Sequence, residues 1–199
     1  MDATLKNKIE TAIWVGKSLF DRGKTAGSSA NMSFRHNDTI YISGSGTCFG
    51  ALSESSFSVV DLDGNHVSGI KPSKELPLHL MLYRKDDSIG AVLHTHSIYS
   101  VLWSCLEHKN ISDCVPSYTP YLKMKLGTVG LVPYAKPGSK ELFDLFEKNI
   151  DQSDGYLLQN HGAVVGDKDM MSAFFCLEEL EESARVAWEF RNMDGIKTV

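Results

Sequence analysis

No stretch of the 199-residue chain approaches the roughly eighteen uninterrupted apolar residues of a membrane-spanning helix, so no such helix is expected. The start, Met1-Asp2-Ala3-Thr4-Leu5-Lys6, lacks the basic residues and apolar stretch of an export signal. Only four cysteines are present, Cys48, Cys105, Cys114 and Cys176, and none forms a CxxC pair. Free thiols and a cytosolic location are therefore expected rather than disulfides. Lysine and arginine never cluster densely enough to follow a phosphate backbone, and the net charge is −5, which argues against nucleic acid as a partner. Linkers, repeats and low-complexity tracts are also missing, so residues 1–199 are read as one domain.

What is there is an ordinary globular balance, with 42% hydrophobic and 23% charged residues. Leu5, Ile9, Ile13 and Leu19/Phe20 recur at helical spacing and predict an amphipathic first helix. A Gly/Ser loop, Gly27-Ser28-Ser29-Ala30-Asn31, leads into short strands at Met32–Arg35, Thr39–Ser43 and Phe57–Leu62, the last closing in an Asp63-Gly64 turn. Pro72-Ser73 opens a helix through Leu76, Leu80 and Tyr83, with Ser73 as its cap and Pro77 tolerated in the first turn. Gly90–His96 reads as a buried strand, with Ser97 capping the helix beyond it. A loop at Pro133, Pro137 and Gly138 precedes a helix through Leu142, Phe143, Phe146 and Ile150. Tyr156–Leu158 is a strand that turns at His161-Gly162 into Ala163–Val165. The last helix, about Met170 to Arg191, carries Phe174, Leu177, Leu180, Ala184 and Phe190 on one face. Strands mixed with flanking helices, several joined by hairpins, indicate an α/β layered fold with a mixed, largely antiparallel sheet.

Histidine supplies the chemistry. In His94-Thr95-His96, at the end of an apolar strand, residues two apart point the same way, so both imidazoles can reach one ion. A pair of polar strand-end residues is the competing reading. His161 lies at another strand-to-turn junction, where Gly162 could let backbone approach a ligand, and it also reads simply as a turn residue. His36 and His66 are expected in solvent, and His108 at a helix end, complementing its dipole. His79, one turn after Glu75, could brace that carboxylate or be a packed polar residue. Glu75 itself could be a first-turn acid facing a helix dipole.

Ser28-Ser29-Ala30-Asn31-Met32-Ser33, Asp61-Leu62-Asp63-Gly64, Lys71-Pro72-Ser73-Lys74-Glu75-Leu76-Pro77-Leu78-His79, His94-Thr95-His96-Ser97 and Asn160-His161-Gly162 follow one another in the order seen in class II aldolase/adducin-type proteins. The chain resembles that family over nearly its whole length. Within the family it is most similar to the 3-oxo-tetronate 4-phosphate decarboxylases, through Pro72-Ser73-Lys74-Glu75, Val67-Ser68-Gly69, Tyr118-Thr119-Pro120-Tyr121 and the Glu178–Glu182 segment. It also resembles fuculose-phosphate aldolase. One position departs: where the family has Gly-Asn, this chain has Ala30-Asn31. A positive φ there would cost an alanine about 1 kcal/mol or shift the loop.

The resemblance implies a three-layer α/β/α sandwich around a mixed, largely antiparallel sheet, assembled as a homotetramer with active sites at subunit interfaces. It implies a Zn²⁺ ion, or Co²⁺ or Mn²⁺, held by His94, His96 and His161, with Glu75 as acid/base and an added ligand of the empty site. Ser28, Asn31, Ser45, Gly46 and Ser73 map onto phosphate-binding positions, where hydroxyls and loop N–H groups suit a dianion. Lys74 could pair with a substrate carboxylate, although a solvated lysine fits too, and Tyr121 or Tyr118 could donate a proton. The reaction implied is decarboxylation of 3-oxo-tetronate 4-phosphate to dihydroxyacetone phosphate and CO₂. Retro-aldol cleavage of a ketose 1-phosphate is the alternative. A non-catalytic adducin-like module is the third reading, disfavoured by the three histidines and Glu75.

Overall fold

The computed structural model describes residues 2–199. The chain divides into two compact units, Met1–Thr95 with Gly166–Phe174, and His96–Val165 with Phe175–Val199.

The first unit opens with α1 (Ala3–Asp21), whose first turn is capped by Asp2: its Oδ1 accepts from the Leu5 N–H at 2.8 Å. The buried face of α1 runs through Leu5, Ile9, Ala12, Val15, Gly16 and Leu19. Ile13 and Phe20, expected on that face, are not among its buried residues, and Gly16 lets the chain at Phe49–Leu52 press against the helix. A Cβ on Gly16 would lie 2.8 Å from Leu52 and 3.3 Å from the Phe49 carbonyl.

Five antiparallel strands follow: β1 (Asn31–His36), β2 (Thr39–Ser43), β3 (Phe57–Asp61), β4 (His66–Gly69) and β5 (Ala91–Thr95). Strand β1 is central, pairing Ser33 with Ile42 of β2 on one side and with Val92 of β5 on the other. The exposed edge strand β4 was not evident from the sequence, because His66-Val67-Ser68-Gly69 buries nothing and shows no alternation. Helix α2 (Leu76–Lys85) buries Leu78, His79, Leu82 and Tyr83. Ile40, Ile42, Val60, Val92 and Leu93, on the two faces of these strands, are all fully buried.

The second unit holds α3 (Ile98–Ser104), α4 (Tyr121–Lys125), β6 (Val129–Val132), α5 (Lys140–Asn149), β7 (Gly155–Leu158), most of β8 (Gly162–Asp167) and most of α6 (Met170–Phe190). Strands β6 and β7 are parallel and joined through α5, whereas β7 and β8 form a hairpin. Tyr156 anchors the end of α5, stacking edge-on against Phe146 with centroids 4.8 Å apart and donating its hydroxyl to the Ser153 carbonyl at 2.6 Å. Strand β6 and helix α4 escaped the sequence reading, since each is a single short run without a resolvable period.

The strands run in the order β4-β3-β2-β1-β5 in the first unit and β8-β7-β6 in the second, mixed in direction and flanked by helices, as expected for the α/β class. All four cysteines are free. Among the described residues no helix is long and apolar enough to cross a membrane.

Within the first unit Gly90 approaches the chain just after β8 so closely that a Cβ would sit 2.1 Å from the Lys168 carbonyl. Its own N–H donates to the Asp167 carbonyl at 2.9 Å. Since backbone cannot rotate away as a side chain can, Gly90→Ala should destabilise the protein by roughly 1–3 kcal/mol or more. Urea unfolding checks this, and an unchanged midpoint would contradict the close approach.

Candidate metal centre

Two repeats meet in the first unit. Alternate residues of β1 share a face, which places Asn31, Ser33 and Arg35 together at a spacing of about 6.6 Å. Residues four apart on α2 share a face at about 6.0 Å, which lines up Glu75, His79 and Tyr83. The two spacings nearly match, so the two polar rows interlock rung by rung. Asn31 Nδ2 donates to Glu75 Oε2 at 2.9 Å. His79 Nε2 lies 2.6 Å from Asn31 Oδ1, and its Nδ1 lies 2.7 Å from Ser33 Oγ. Ser33 Oγ is also 2.7 Å from the Tyr83 hydroxyl. Arg35 closes the row, donating to the Tyr83 carbonyl at 2.6 Å with its guanidinium 4.7 Å from that ring's centre.

Direction follows from the donors available. A carboxylate only accepts, so the Asn31 amide nitrogen faces Glu75 and its oxygen must accept from His79 Nε2–H. Burial holds the His79 pKa down at about 3, helped by the neighbouring His94, so the ring carries one proton. Nδ1 then accepts from the Ser33 hydroxyl, which in turn accepts from Tyr83. Burial pushes the Tyr83 phenol up, which keeps that proton in place. Every link is buried, and each is worth about 0.5–1.5 kcal/mol net but about 1–3 kcal/mol if one partner is removed.

Glu75 is the N-cap of α2, one residue before Leu76, yet its side chain makes no capping bond. Its carboxylate turns instead toward Asn31 and His94, whose Nε2 is 3.4 Å from Oε2. That is not the posture of an acid facing only a helix dipole. Ser73 therefore does not cap the helix as expected. Its hydroxyl accepts from the Glu75 N–H at 3.3 Å, and the helix begins three residues later. His94 sits opposite Asn31 in the β1–β5 register and is fully buried.

In the second unit His96 and His161 meet edge to face, with ring centroids 4.7 Å apart. His161 is held in the β7–β8 hairpin by its N–H on the Leu158 carbonyl at 3.0 Å. The left-handed residue of this turn is Asn160, at φ 56°. Gly162 is already paired with Leu158 in the hairpin ladder. Ser97 precedes α3 without a side-chain cap. That helix start is capped by Glu181, whose carboxylate accepts from the N–H groups of Tyr99 at 3.1 Å and Ser100 at 2.9 Å, and from the Ser100 hydroxyl at 2.7 Å.

One candidate ligand atom from each of His94, His96 and His161 lies within 4.8 Å of the other two. Three imidazoles, all buried or half-buried, are a donor set that suits a divalent transition metal.

The other expected site residues fall as follows. Asn31 gives one Nδ2–H to Glu75 and accepts from His79 on Oδ1, so the side chain mapped onto phosphate binding also belongs to the polar chain described above and keeps a second N–H. Ser28, Ser45, Gly46 and Lys74 are exposed. The Ser45 N–H donates to the Lys71 carbonyl at 2.9 Å and Gly44 bridges Pro72, which brings the Ser45-Gly46 loop to the segment carrying Ser73. Ala30 is buried and is not among the left-handed residues, so the strain foreseen for an alanine at that position does not arise. Tyr121 begins α4 and is 57% exposed, whereas Tyr118 stacks edge-on with Phe190. His36, expected in solvent, is buried and sits 3.0 Å from Asp2, because the α1 cap brings that carboxylate over the end of β1. His66 is exposed, and His108 Nε2 bonds the Trp103 carbonyl at the end of α3. Ser33 and Tyr83 were missed as site residues. Their signal was a polar residue at period two in an otherwise apolar strand, facing polar residues at period four on a helix.

The model of the class II aldolase and adducin N-terminal domain matches residues 10–188. The chain is 40% identical over 173 residues to 3-oxo-tetronate 4-phosphate decarboxylase of Pectobacterium atrosepticum, covering 86% of this chain and 79% of that protein. It is 37% identical over 174 residues to L-fuculose phosphate aldolase of Methanocaldococcus jannaschii, covering 87% and 92%. Among solved structures, YgbL from Escherichia coli superimposes with a TM-score of 0.90 at 34% identity, covering 96% of this chain and 92% of that one.

Protonating buried His79 would break the chain of hydrogen bonds. The unfolded protein takes up this proton below about pH 6.5, while the folded protein refuses it until about pH 3. Its contribution to stability is therefore fully present above pH 6.5 and is lost as the pH falls toward 3. In metal-free protein, the urea midpoint should drop more between pH 7 and about pH 4.5 for wild type than for His79→Gln, which has no proton to gain. Parallel drops in the two proteins would show that His79 is not held neutral.

Proposed function

This chain belongs to the class II aldolase and adducin family, and we propose that within it the protein is a divalent-metal lyase that decarboxylates 3-oxo-tetronate 4-phosphate to dihydroxyacetone phosphate and CO₂. The observation that carries this reading is the placement of Glu75. A buried carboxylate is held between the Asn31 amide and His94 Nε2, the latter 3.4 Å away, where a proton carrier beside a metal ligand belongs.

His94, His96 and His161 would hold the ion, with Glu75 an added ligand before substrate arrives. Zn²⁺, Co²⁺ and Mn²⁺ all accept such donors. When bound, the ion supplies Lewis acidity that stabilises negative charge on the substrate oxygens. The residues do the rest. Loss of CO₂ breaks the bond between the carboxyl carbon and C2 and leaves the electron pair in a C2–C3 enediolate. Glu75, having taken up a proton from solvent, then gives it to C2, which completes dihydroxyacetone phosphate and returns the carboxylate. Ser28, Ser45, Gly46 and Ser73 receive the phosphate through hydroxyls and loop N–H groups, the tether of Ser45 to Lys71 supporting their convergence. Asn31 joins them through its second Nδ2–H, while its first N–H fixes Glu75. Lys74, exposed and next to Glu75 in sequence, pairs with the substrate carboxylate.

Residues 1–199 act as a single domain, a reading supported by one family model spanning 10–188. Tyr121 supplies a second proton donor in a homotetramer whose sites are shared between copies. Its 57% exposure suits a side chain offered to a neighbouring subunit. The reaction belongs in the cytosol, where four free cysteines remain reduced.

With metal content matched, Glu75→Gln should lower kcat by roughly 10²-fold or more. 4-Phospho-3-oxo-tetronates should release CO₂ and dihydroxyacetone phosphate, with ketose 1-phosphates cleaved far more slowly. Lys74→Ser should raise KM for the acid substrate and leave that of a ketose phosphate unchanged, since the latter offers no carboxylate. Aldehyde from a ketose 1-phosphate, with no CO₂ from either tetronate epimer, would replace this reading by the aldolase one, the activity named for the Methanocaldococcus jannaschii relative.

A further inference from the structure

We infer that Asn31, His79, Ser33 and Tyr83 are positioning residues whose buried hydrogen-bonded chain, running from Tyr83 on α2 through β1 and back, holds the Glu75 carboxylate in its working orientation. The inference rests on the reading of Glu75 as proton carrier and adds to it the device that aims that group.

The geometry is specific. Glu75 Oε2 lies 2.9 Å from Asn31 Nδ2 and 3.4 Å from His94 Nε2. The Asn31 amide cannot turn over without placing its oxygen against the carboxylate and its nitrogen against the His79 N–H. His79 in turn cannot reverse its polarity without exchanging roles with Ser33 and Tyr83. One end of the chain is anchored in packing, because Tyr83 is 1% exposed and lies beneath the Arg35 guanidinium. Locking a catalytic side chain by supporting hydrogen bonds matters because misplacement by about 1 Å can cost about 10²-fold in rate.

The chain is not a proton wire. Passing a proton from His79 to Glu75 would turn the Asn31 amide into its imidic-acid tautomer, which is far less stable than the amide. Its contribution is therefore orientation, and its effect must travel through Glu75. That distinguishes it from general stabilisation, which would lower activity whether or not Glu75 is present.

The test uses the metal-loaded protein and a series of variants. His79→Leu should lower kcat about 10- to 100-fold, with KM within about 2-fold and metal content unchanged. His79→Gln, which keeps one donor and one acceptor, should recover most of that rate. Tyr83→Phe and Ser33→Ala, mild enough to leave packing intact, should give smaller losses in the same direction. In a Glu75→Gln background, His79→Leu should lower kcat no further. A crystal structure of His79→Leu should show the Glu75 carboxylate moved out of hydrogen-bonding reach of Asn31. Wild-type kcat in His79→Leu, additive losses in the double variant, or a carboxylate that stays in place would each overturn the positioning role. By contrast, Glu75→Gln with full activity would overturn the proton-carrier reading itself. The crystal structure would still decide whether the chain positions that side chain.

Discussion

The hydrogen bond from the Asn31 amide to Glu75 is the contact on which the site depends. A carboxylate taken out of water is costly unless it finds donors. Glu75 is 3% exposed, and the Asn31 amide at 2.9 Å is a donor that helps it stay buried and aimed toward His94. The amide can do this only because its oxygen is spoken for by His79. Behind His79 stand Ser33 and Tyr83, so a single orientation of one amide is fixed by groups three residues deep in the protein. The near match between two strand residues and four helix residues of rise makes this arrangement possible.

The fold divides labour accordingly. The apolar faces of α1, α2 and the strands make the first unit stable, and they would do so for many sequences. The polar rows on β1 and α2 would be a liability in such a core if incompletely paired. Here every link from Tyr83 to Glu75 is paired, and the row ends at His94, the first of the clustered histidines. In the second unit a different device serves the same end. Glu181 grips the start of α3, which follows His96 by two residues, and Asn160 takes the left-handed turn that places His161. Both put their constraints next to a histidine.

Much of this was legible in the residues. The period-two histidines, the strand runs of β1 to β3 and β5, and the amphipathic α1 and α6 follow from spacing alone. Glu75 and the set of three histidines needed the family resemblance, because a first-turn acid and a turn histidine are common without chemistry. The features not anticipated share a cause. His36 is buried because Asp2, 34 residues away in sequence, caps α1 above it. Ser73 loses the cap because Glu75 occupies that position while directing its side chain elsewhere. Asn31 braces the Glu75 carboxylate, a role its place beside the Gly/Ser loop did not announce. Each depends on which strand lies beneath which helix, and local pattern carries no record of that. The rows Asn31-Ser33-Arg35 and Glu75-His79-Tyr83 were nevertheless visible as periods, and a search for polar residues at period two and period four would have paired them.

The central claim is that these constraints converge on one divalent ion. Anomalous diffraction across the absorption edges of zinc, cobalt and manganese, on crystals grown with saturating metal, tests it most directly. The account predicts one strong peak per chain, bonded to imidazole nitrogens of His94, His96 and His161 with the Glu75 carboxylate beside it. No peak at these histidines, or an ion bound by other residues while they stay bare, would contradict it.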